Sequence, residues 1–352
     1  MNEEAEQMMQ RCLELAERGS GRVAPNPMVG AVLVHDGTVI GEGYHQAYGK
    51  PHAEVNCLNS VPQNKQELIG RSTLYVSLEP CTHFGKTPPC TDLILRRKIP
   101  RVVVGSIDPF TPVAGKGVLR LRKAGVQVDV GILDTECAWM NRRFFTFHIR
   151  QRPYIILKWA QSADGFLAGS GPHRVKISNP LSDRWVHRWR SEEAAILIGA
   201  NTARKDDPLL TNRLWSGQSP QRVVLDPHLS LPDTLEMFQK GAPVWVYNYH
   251  RTAQRGQIRW IQISEEADFL PAVMADLHAR QILSVMVEGG LFTLNAFLKD
   301  ALWDEARVIT GSGKLGSGLP APSSPAGPPV AYWPVRDDHM ALFIQEDGPS
   351  SL

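Results

Sequence analysis

The run Pro51-His52-Ala53-Glu54 is followed about two dozen residues later by Glu79-Pro80-Cys81 and, after an eight-residue spacer, by Cys90. One imidazole and two thiolates can hold a zinc ion with three protein ligands, leaving the fourth tetrahedral position to water. Zinc lowers the pKa of such a water towards about 7, so hydroxide is available at neutral pH. Attack on an aromatic C–NH2 carbon also needs a group that takes the water proton and returns it to the ring and the departing amine. Glu54, an acid that is not a ligand, is the candidate. His-x-Glu alone would say little, but with Pro-Cys and a second Cys behind it the pattern points to hydrolytic removal of an amine from a nucleobase-like ring.

The elements that present these residues follow from the prolines. On a regular helix His52 and Glu54 would lie about 200° apart. Pro51 fits a helix start, so both residues sit in or just before a first turn and converge on something beyond the helix end. Pro88 and Pro89 put Cys90 at a second helix start, where the partial positive charge favours thiolate. The bland alternative is a structural zinc site, which takes four protein ligands; the nearby candidates for a fourth are His45, Cys57 and His83.

The 352 residues suit two domains, and 43% hydrophobic with 21% charged residues describes a soluble globular chain with apolar mass for two cores. No run reaches 18 uninterrupted apolar residues, and the N-terminus lacks a basic-then-apolar leader, so a cytoplasmic location and no membrane partner are expected. A net charge of +2 excludes a strongly basic whole-chain surface. Cys12, Cys57 and Cys137 read as small buried side chains, and the odd count of five cysteines fits a reducing compartment.

Apolar spacing predicts a helix over 4–18, a hairpin of strands 29–35 and 39–44 around Asp36-Gly37, and strands over 73–78 and 101–107. Helix 117–124, strand 126–130 and helix 134–145 complete a layered α/β domain. The basic stretch Arg150-Gln151-Arg152-Pro153 marks a boundary, giving domains 1–150 and 151–352. The second half predicts strands over 154–159, 194–198, 222–225, 244–247, 282–287, 305–310 and 341–345, with helices over 179–190, 265–280 and 291–298. A proline-rich surface loop is expected over 319–334.

A dinucleotide fingerprint G-x-G-x-x-G after a strand is absent from the second half. Gly311–Gly318 looks like a P-loop but lacks the Gly-Lys-Ser/Thr ending. Two strand-to-helix junctions, Gly199-Ala200-Asn201-Thr202 and Glu288-Gly289-Gly290, let a ligand approach the backbone and offer free N–H groups to phosphate, although tight αβ packing would also use such glycines. Lys158, Asp164, Arg190, Asp206, Arg213 and Glu288 could rim a phosphorylated ligand or be solvated surface.

Along nearly its whole length the chain resembles the bifunctional riboflavin-biosynthesis pyrimidine deaminase/reductase family. The matching text includes Pro25-Asn26-Pro27, His52-Ala53-Glu54, Leu78-Glu79-Pro80-Cys81-Thr82-His83 and Gly85-Lys86-Thr87-Pro88-Pro89-Cys90. In the second half it includes Leu157-Lys158, Asp164-Gly165, Asp206-Asp207-Pro208, Leu210-Thr211 with Arg213, and Glu288-Gly289-Gly290. The eight-residue cysteine spacer is similar to this family and unlike the short one of cytidine and tRNA deaminases. The resemblance implies a cytidine-deaminase-like three-layer α/β/α domain followed by a dihydrofolate-reductase-like α/β domain. It implies one zinc per chain, NADPH, a phosphoribosylaminopyrimidine substrate, no nucleic-acid partner and a self-associating protein. Deamination of the diaminopyrimidinone to the uracil would come first, and reduction of its ribosyl group to ribityl second.

Carried over by that resemblance, His52, Cys81 and Cys90 bind zinc and Glu54 shuttles protons. Asn26, His83 and Lys86 contact the deaminase substrate. Lys158, Asp206 and Glu288 surround the reacting ribose, and Arg174, Arg190, Leu210 and Arg213 bind the reductase substrate, with Arg190 and Arg213 suited to its phosphate. Gln161, Lys176, Thr202, Asp206, Gly290, Leu291, Phe292 and Thr293 bind the cofactor. Three positions depart from the family: Phe110 stands where Asn is common, Lys176 where Trp is frequent, and Pro227 where Ser is usual. Rival readings are a nucleic-acid deaminase, which the nearly balanced charge opposes, a zinc-stabilised assembly protein, and a deaminase with a decayed reductase.

Overall fold

In the computed structural model, which describes residues 3–84, 88–110, 114–171 and 175–345, the chain divides between Arg150 and Gln151 into two units. The first begins with helix α1 (Glu3–Glu17), whose buried Ala5, Met9, Cys12 and Ala16 recur with helical spacing. Strands β1 (Gly30–His35) and β2 (Thr38–Tyr44) follow. Asp36 and Gly37 between them have φ of 46° and 71°, the left-handed pair that a two-residue hairpin turn requires. With β3 (Thr73–Leu78), β4 (Arg101–Ser106) and β5 (Gln127–Val130) they form a sheet in the order β2-β1-β3-β4-β5, in which β3, β4 and β5 run parallel.

Alternation along β1 sorts the layers. Ala31 and Leu33 face a core shared with α2 (Ala53–Ser60), α3 (Cys90–Arg96) and α4 (Lys116–Lys123). Val32 and Val34 face a core shared with α1 and α5 (Asp134–Met140). Helices therefore cover both faces of the sheet. The expected helix over 134–145 is two, α5 and α6 (Arg142–Arg150), with Asn141 between them. The side-chain amide of Asn141 accepts from Met28 N and donates to Met28 O, both at 2.8 Å, and this local pairing sits where the helix breaks.

In the second unit the strands are β6 (Tyr154–Gln161), β7 (Phe166–Gly169), β8 (Ala195–Gly199), β9 (Gln221–Leu225), β10 (Val244–Asn248), β11 (Ala253–Arg255), β12 (Ile258–Gln262), β13 (Ser284–Val287), β14 (Glu305–Thr310), β15 (Gly318–Pro320), β16 (Ala331–Val335) and β17 (Asp338–Ile344). All but β7 and β15, which pair with each other, build one ten-stranded sheet in the order β11-β12-β10-β9-β8-β13-β6-β14-β17-β16. From β12 to β14 it is parallel, and the remaining strands pair antiparallel at its two edges. Helices α7 (Pro180–Glu192), α8 (Ala200–Asp206) and α9 (Glu236–Gln239) contribute to cores on one face. Helices α10 (Phe269–Ala279) and α11 (Leu291–Lys299) pack against the other.

The proline-rich stretch expected as a loop contains β15 and β16. Pro334, which has no N–H to give a ladder, is tolerated in β16 because that strand lies at the sheet edge. Strands β7, β11 and β12 lie outside the expected set; in β12 the exposed Arg259 interrupts the apolar run of Ile258, Trp260 and Ile261. Asn179 caps α7, its side-chain oxygen accepting from Leu181 N and Ser182 N. No described helix is long and apolar enough to cross a membrane.

Candidate active sites

His52 is the N-cap of α2 and Cys90 the first residue of α3, so the ends of two helices face one point, as the prolines predict. Cys81 arrives from the other side, three residues beyond the end of β3. The Nδ1 of His52 lies 3.6 Å from Cys81 Sγ and 3.4 Å from Cys90 Sγ. Zn–S bonds of about 2.3 Å and a Zn–N bond of about 2.0–2.1 Å at a tetrahedral angle place sulfur and nitrogen about 3.6 Å apart, so the donor set fits zinc. All three ligand atoms lie within 4.8 Å of one another, and among the described residues this is the one group of His, Cys, Asp or Glu with that property.

The two thiols differ: Cys90, at the helix start expected to favour thiolate, is instead pushed up by its hydrogen bond with Cys81 and by burial. The Cys81 thiol is pulled down to about 4, first by its hydrogen bond with Cys90 and then by His52 and the Cys90 backbone N–H, against the opposing effect of burial. Glu54, on the first turn of α2 and 3% exposed, has its carboxyl pushed upward by burial. It lies within hydrogen-bonding reach of the Cys90 thiol, next to the metal position without belonging to the ligand set.

None of the three alternative fourth ligands belongs to this cluster. The His45 ring has Nδ1 at 3.0 Å from Pro51 O and Nε2 at 3.1 Å from Asn26 Nδ2, so both nitrogens are taken. Its ring meets that of His52 edge-on at 5.3 Å, which places Asn26 behind the ligand shell through His45. Cys57 is fully buried in the α2 core. His83 is exposed and faces Phe110, with ring centroids 6.3 Å apart. Cys57→Ala therefore leaves zinc stoichiometry unchanged, read by metal analysis of the purified variant; loss of the metal would mean a fourth protein ligand.

Phe110, the departure from Asn, lies between His83 and His148, 4.8 Å from the latter's ring. Lys86 and Arg174 lie outside the described residues.

In the second unit, the parallel strands β8, β13 and β6 are neighbours, and their carboxyl ends carry the residues singled out above. Ligands of open α/β sheets bind outside such ends. Glu288 follows β13 and receives both arms of the Arg190 guanidinium from α7, at 2.8 and 2.7 Å. Arg190 Nη1 donates to Thr211 O at 3.2 Å. Burial alone would raise the Glu288 carboxyl, but the charges of Arg190 and Lys158 and the Arg190 hydrogen bonds outweigh it and hold the group at about 2. Arg190, expected on the substrate phosphate, has its fork committed to a buried carboxylate. Arg213 is exposed, its Nη1 on Thr211 Oγ1 and its backbone N–H on His187 Nδ1. His187, absent from the residues singled out by sequence, stands one helical turn before Arg190; that spacing on α7 is the signal that could have found it.

The two glycine junctions lie side by side. A Cβ on Gly290, which has φ of 56°, would stand 2.7 Å from Thr202 Oγ1, and one on Gly199 would stand 2.3 Å from Thr293 Oγ1. Thr202, Gly290 and Thr293 are thus brought together, with Leu291 half-buried and Phe292 83% exposed at the start of α11. Free N–H groups of a nine-residue helix and two hydroxyls beside a glycine form a cradle that fits a dinucleotide pyrophosphate.

The remaining expected contact residues lie in varied surroundings. Asp206 is exposed at the end of α8, while Asp207 accepts from Glu236 N and Met237 N and anchors α9. Leu210 as a whole is 2% exposed and packs in the core shared with α8 and α9. Gln161 accepts from Trp159 Nε1, and Lys176 pairs at 2.8 Å with Asp183 on the surface. Lys176→Ala changes the unfolding free energy by less than about 1 kcal/mol in urea denaturation, because an exposed pair contributes little. The P-loop look-alike has an internal anion: Asp164 accepts from Leu315 N and Gly316 N.

Fold and site together define a zinc-dependent pyrimidine deaminase of cytidine-deaminase type joined to a reductase. Residues 2–106 match the cytidine and deoxycytidylate deaminase zinc-binding region, and residues 153–333 the RibD C-terminal domain. The riboflavin biosynthesis protein RibD of Aquifex aeolicus is 42% identical over 316 residues, covering 88% of each chain. That of Escherichia coli K12 is 35% identical over 89% of each chain. A crystal structure of a diaminohydroxyphosphoribosylaminopyrimidine deaminase/5-amino-6-(5-phosphoribosylamino)uracil reductase from Thermotoga maritima superposes with a TM-score of 0.86 at 36% identity, over 96% of this chain and 98% of that one. Acinetobacter baumannii RibD gives 0.87 at 30% identity, over 97% and 98%. The chain belongs to the RibD family of bifunctional riboflavin-biosynthesis enzymes.

Proposed function

We propose that the first unit hydrolyses the 2-amino group of 2,5-diamino-6-(5-phosphoribosylamino)pyrimidin-4(3H)-one, and that the second reduces the ribosyl group of the resulting uracil to ribityl. The observation that carries this reading is a three-ligand cluster within 4.8 Å with a buried acid beside it that is not a ligand. Zinc held by His52, Cys81 and Cys90 supplies Lewis-acid activation of a water at neutral pH. Glu54 takes one proton of the water and passes it to the ring nitrogen, then takes the hydroxyl proton of the tetrahedral adduct and passes it to the amine, which leaves as ammonia; a carboxyl pushed upward by burial is suited to both relays. Asn26 orients the His45 ring, which packs on His52; His83 and Lys86 bind the phosphate of the substrate.

NADPH supplies hydride to C1 of the opened ribose. Lys158 and Glu288 stand beside that carbon as a cation and an anion, the charge of Lys158 helping to keep Glu288 ionised, with Asp206 at the rim. Arg213 meets the substrate phosphate, joined by Arg174. Thr202, Gly290, Leu291 and Thr293 hold the cofactor pyrophosphate, and Gln161 and Lys176 flank the cofactor. The protein acts as a homo-oligomer and takes no nucleic acid.

Metal analysis with a coupled assay tests the reading. The expected result is one zinc per chain, ammonia release from the diaminopyrimidinone, and loss of NADPH absorbance only once deaminated product has formed. Ammonia release with no NADPH consumption would remove the reductase half, and binding of tRNA or single-stranded DNA in a mobility-shift assay would point to the nucleic-acid alternative.

A further inference from the structure

Glu79 is buried to 4% exposure, lies two residues before Cys81, and has no part in the chemistry above. Its carboxylate accepts four backbone N–H groups. One oxygen takes Gly117 N at 2.7 Å and Val118 N at 3.1 Å; the other takes Gly115 N at 2.8 Å and Asp108 N at 3.3 Å. Helix α4 has Gly115 as its N-cap, with no side chain of its own bonding the first turn. A carboxylate one residue beyond the end of β3 therefore satisfies orphan donors of α4 and complements its dipole. Gly117 is what permits the approach, since a Cβ there would stand 2.2 Å from Pro80 O. The start of α4 thus touches the peptide that delivers Cys81.

The same carboxylate reaches the turn after β4. Asp108 N is one of its donors, and Asp108 Oδ1 in turn accepts from Phe110 N at 2.8 Å, setting the ring that faces His83. Cys81 is held from its other side by α3: Cys90 N donates to its sulfur at 3.4 Å, and Thr91 donates to its carbonyl from both N and Oγ1 at 3.2 Å. Glu79 thereby connects the Cys81 peptide, the Asp108–Phe110 turn and α4.

We propose that Glu79 is a positioning residue of the deaminase centre, fixing Cys81 for the metal and the Asp108–Phe110 turn for the substrate at once. This rests on the zinc reading of His52, Cys81 and Cys90. Replacing the acid by its amide puts an NH2 group against two N–H donors, so Glu79→Gln does not preserve the arrangement. The expected result is zinc loss to a chromogenic chelator about 10- to 100-fold faster than wild type, and a raised KM for deamination, with the reductase rate on deaminated substrate unchanged as an internal control of folding.

A lowered melting temperature with wild-type zinc retention and wild-type KM would overturn the proposal and leave Glu79 as a helix cap only. Wild-type protein that holds no zinc would overturn the underlying reading instead. Hydrogen exchange of the wild-type full chain, with and without chelator, needs no variant. Removal of zinc is expected to speed exchange at Asp108, Gly115, Gly117 and Val118, and unchanged exchange there would equally overturn the proposal.

Discussion

Glu54→Gln lowers ammonia release by about 10²- to 10⁴-fold, the usual contribution of a general acid–base group. Zinc content and NADPH oxidation on deaminated substrate stay at wild-type levels. The side chain keeps its size in a 3% exposed position, so the fold has no reason to change, and the ligand set does not include it. An amide cannot take a proton from water at neutral pH, and both transfers fail together. A zinc-stabilised assembly protein would show no loss of turnover on this substitution, because it has none. Metal analysis and the two assays on one preparation separate the cases.

Arg190→Ala destabilises the second unit by about 3–5 kcal/mol, because it leaves the Glu288 carboxylate buried without its bidentate partner. The pair is well enclosed, with side-chain exposures of 12% and 9%. Glu288 is held at about 2 against an ordinary 4.5. A carboxyl whose folded pKa is depressed adds stability above its unfolded pKa and loses it as pH falls through the folded value, so this contribution disappears between about pH 4.5 and 2. Removing Arg190 leaves burial to push the carboxyl up, and the deficit of the variant shrinks as pH is lowered. Urea denaturation of the full chain at pH 7 and at about pH 3.5 measures this. Equal midpoints for variant and wild type at both values would show that the fork contributes nothing to stability.

Much of the deaminase centre is legible in the sequence because its ligands are chemically rare types and two of them stand at helix starts marked by proline. Pro51 and the Pro88-Pro89 pair announce where α2 and α3 begin. An imidazole and a thiol on those ends, with a second thiol just after Pro80, suit a metal and little else. Partners supplied by the fold are not legible. Glu79 reads locally as a residue before Pro-Cys, and its four donors come from residues 29 to 39 positions away that only the sheet brings near. Arg190 and Glu288 are 98 positions apart, and nothing local shows that this guanidinium will be closed on a buried carboxylate. Strands at the sheet edge escape the pattern for a similar reason. In β16 a proline and a half-exposed face hide the alternation, and its partner β17 makes the strand.

The open coordination position is the central claim, and X-ray absorption at the zinc edge of the purified full chain tests it most directly. The predicted spectrum has two sulfur scatterers at about 2.3 Å and two lighter atoms at about 2.0–2.1 Å, one of them an imidazole nitrogen and the other an exchangeable oxygen. A third sulfur, a second imidazole, or folded protein without zinc would contradict it.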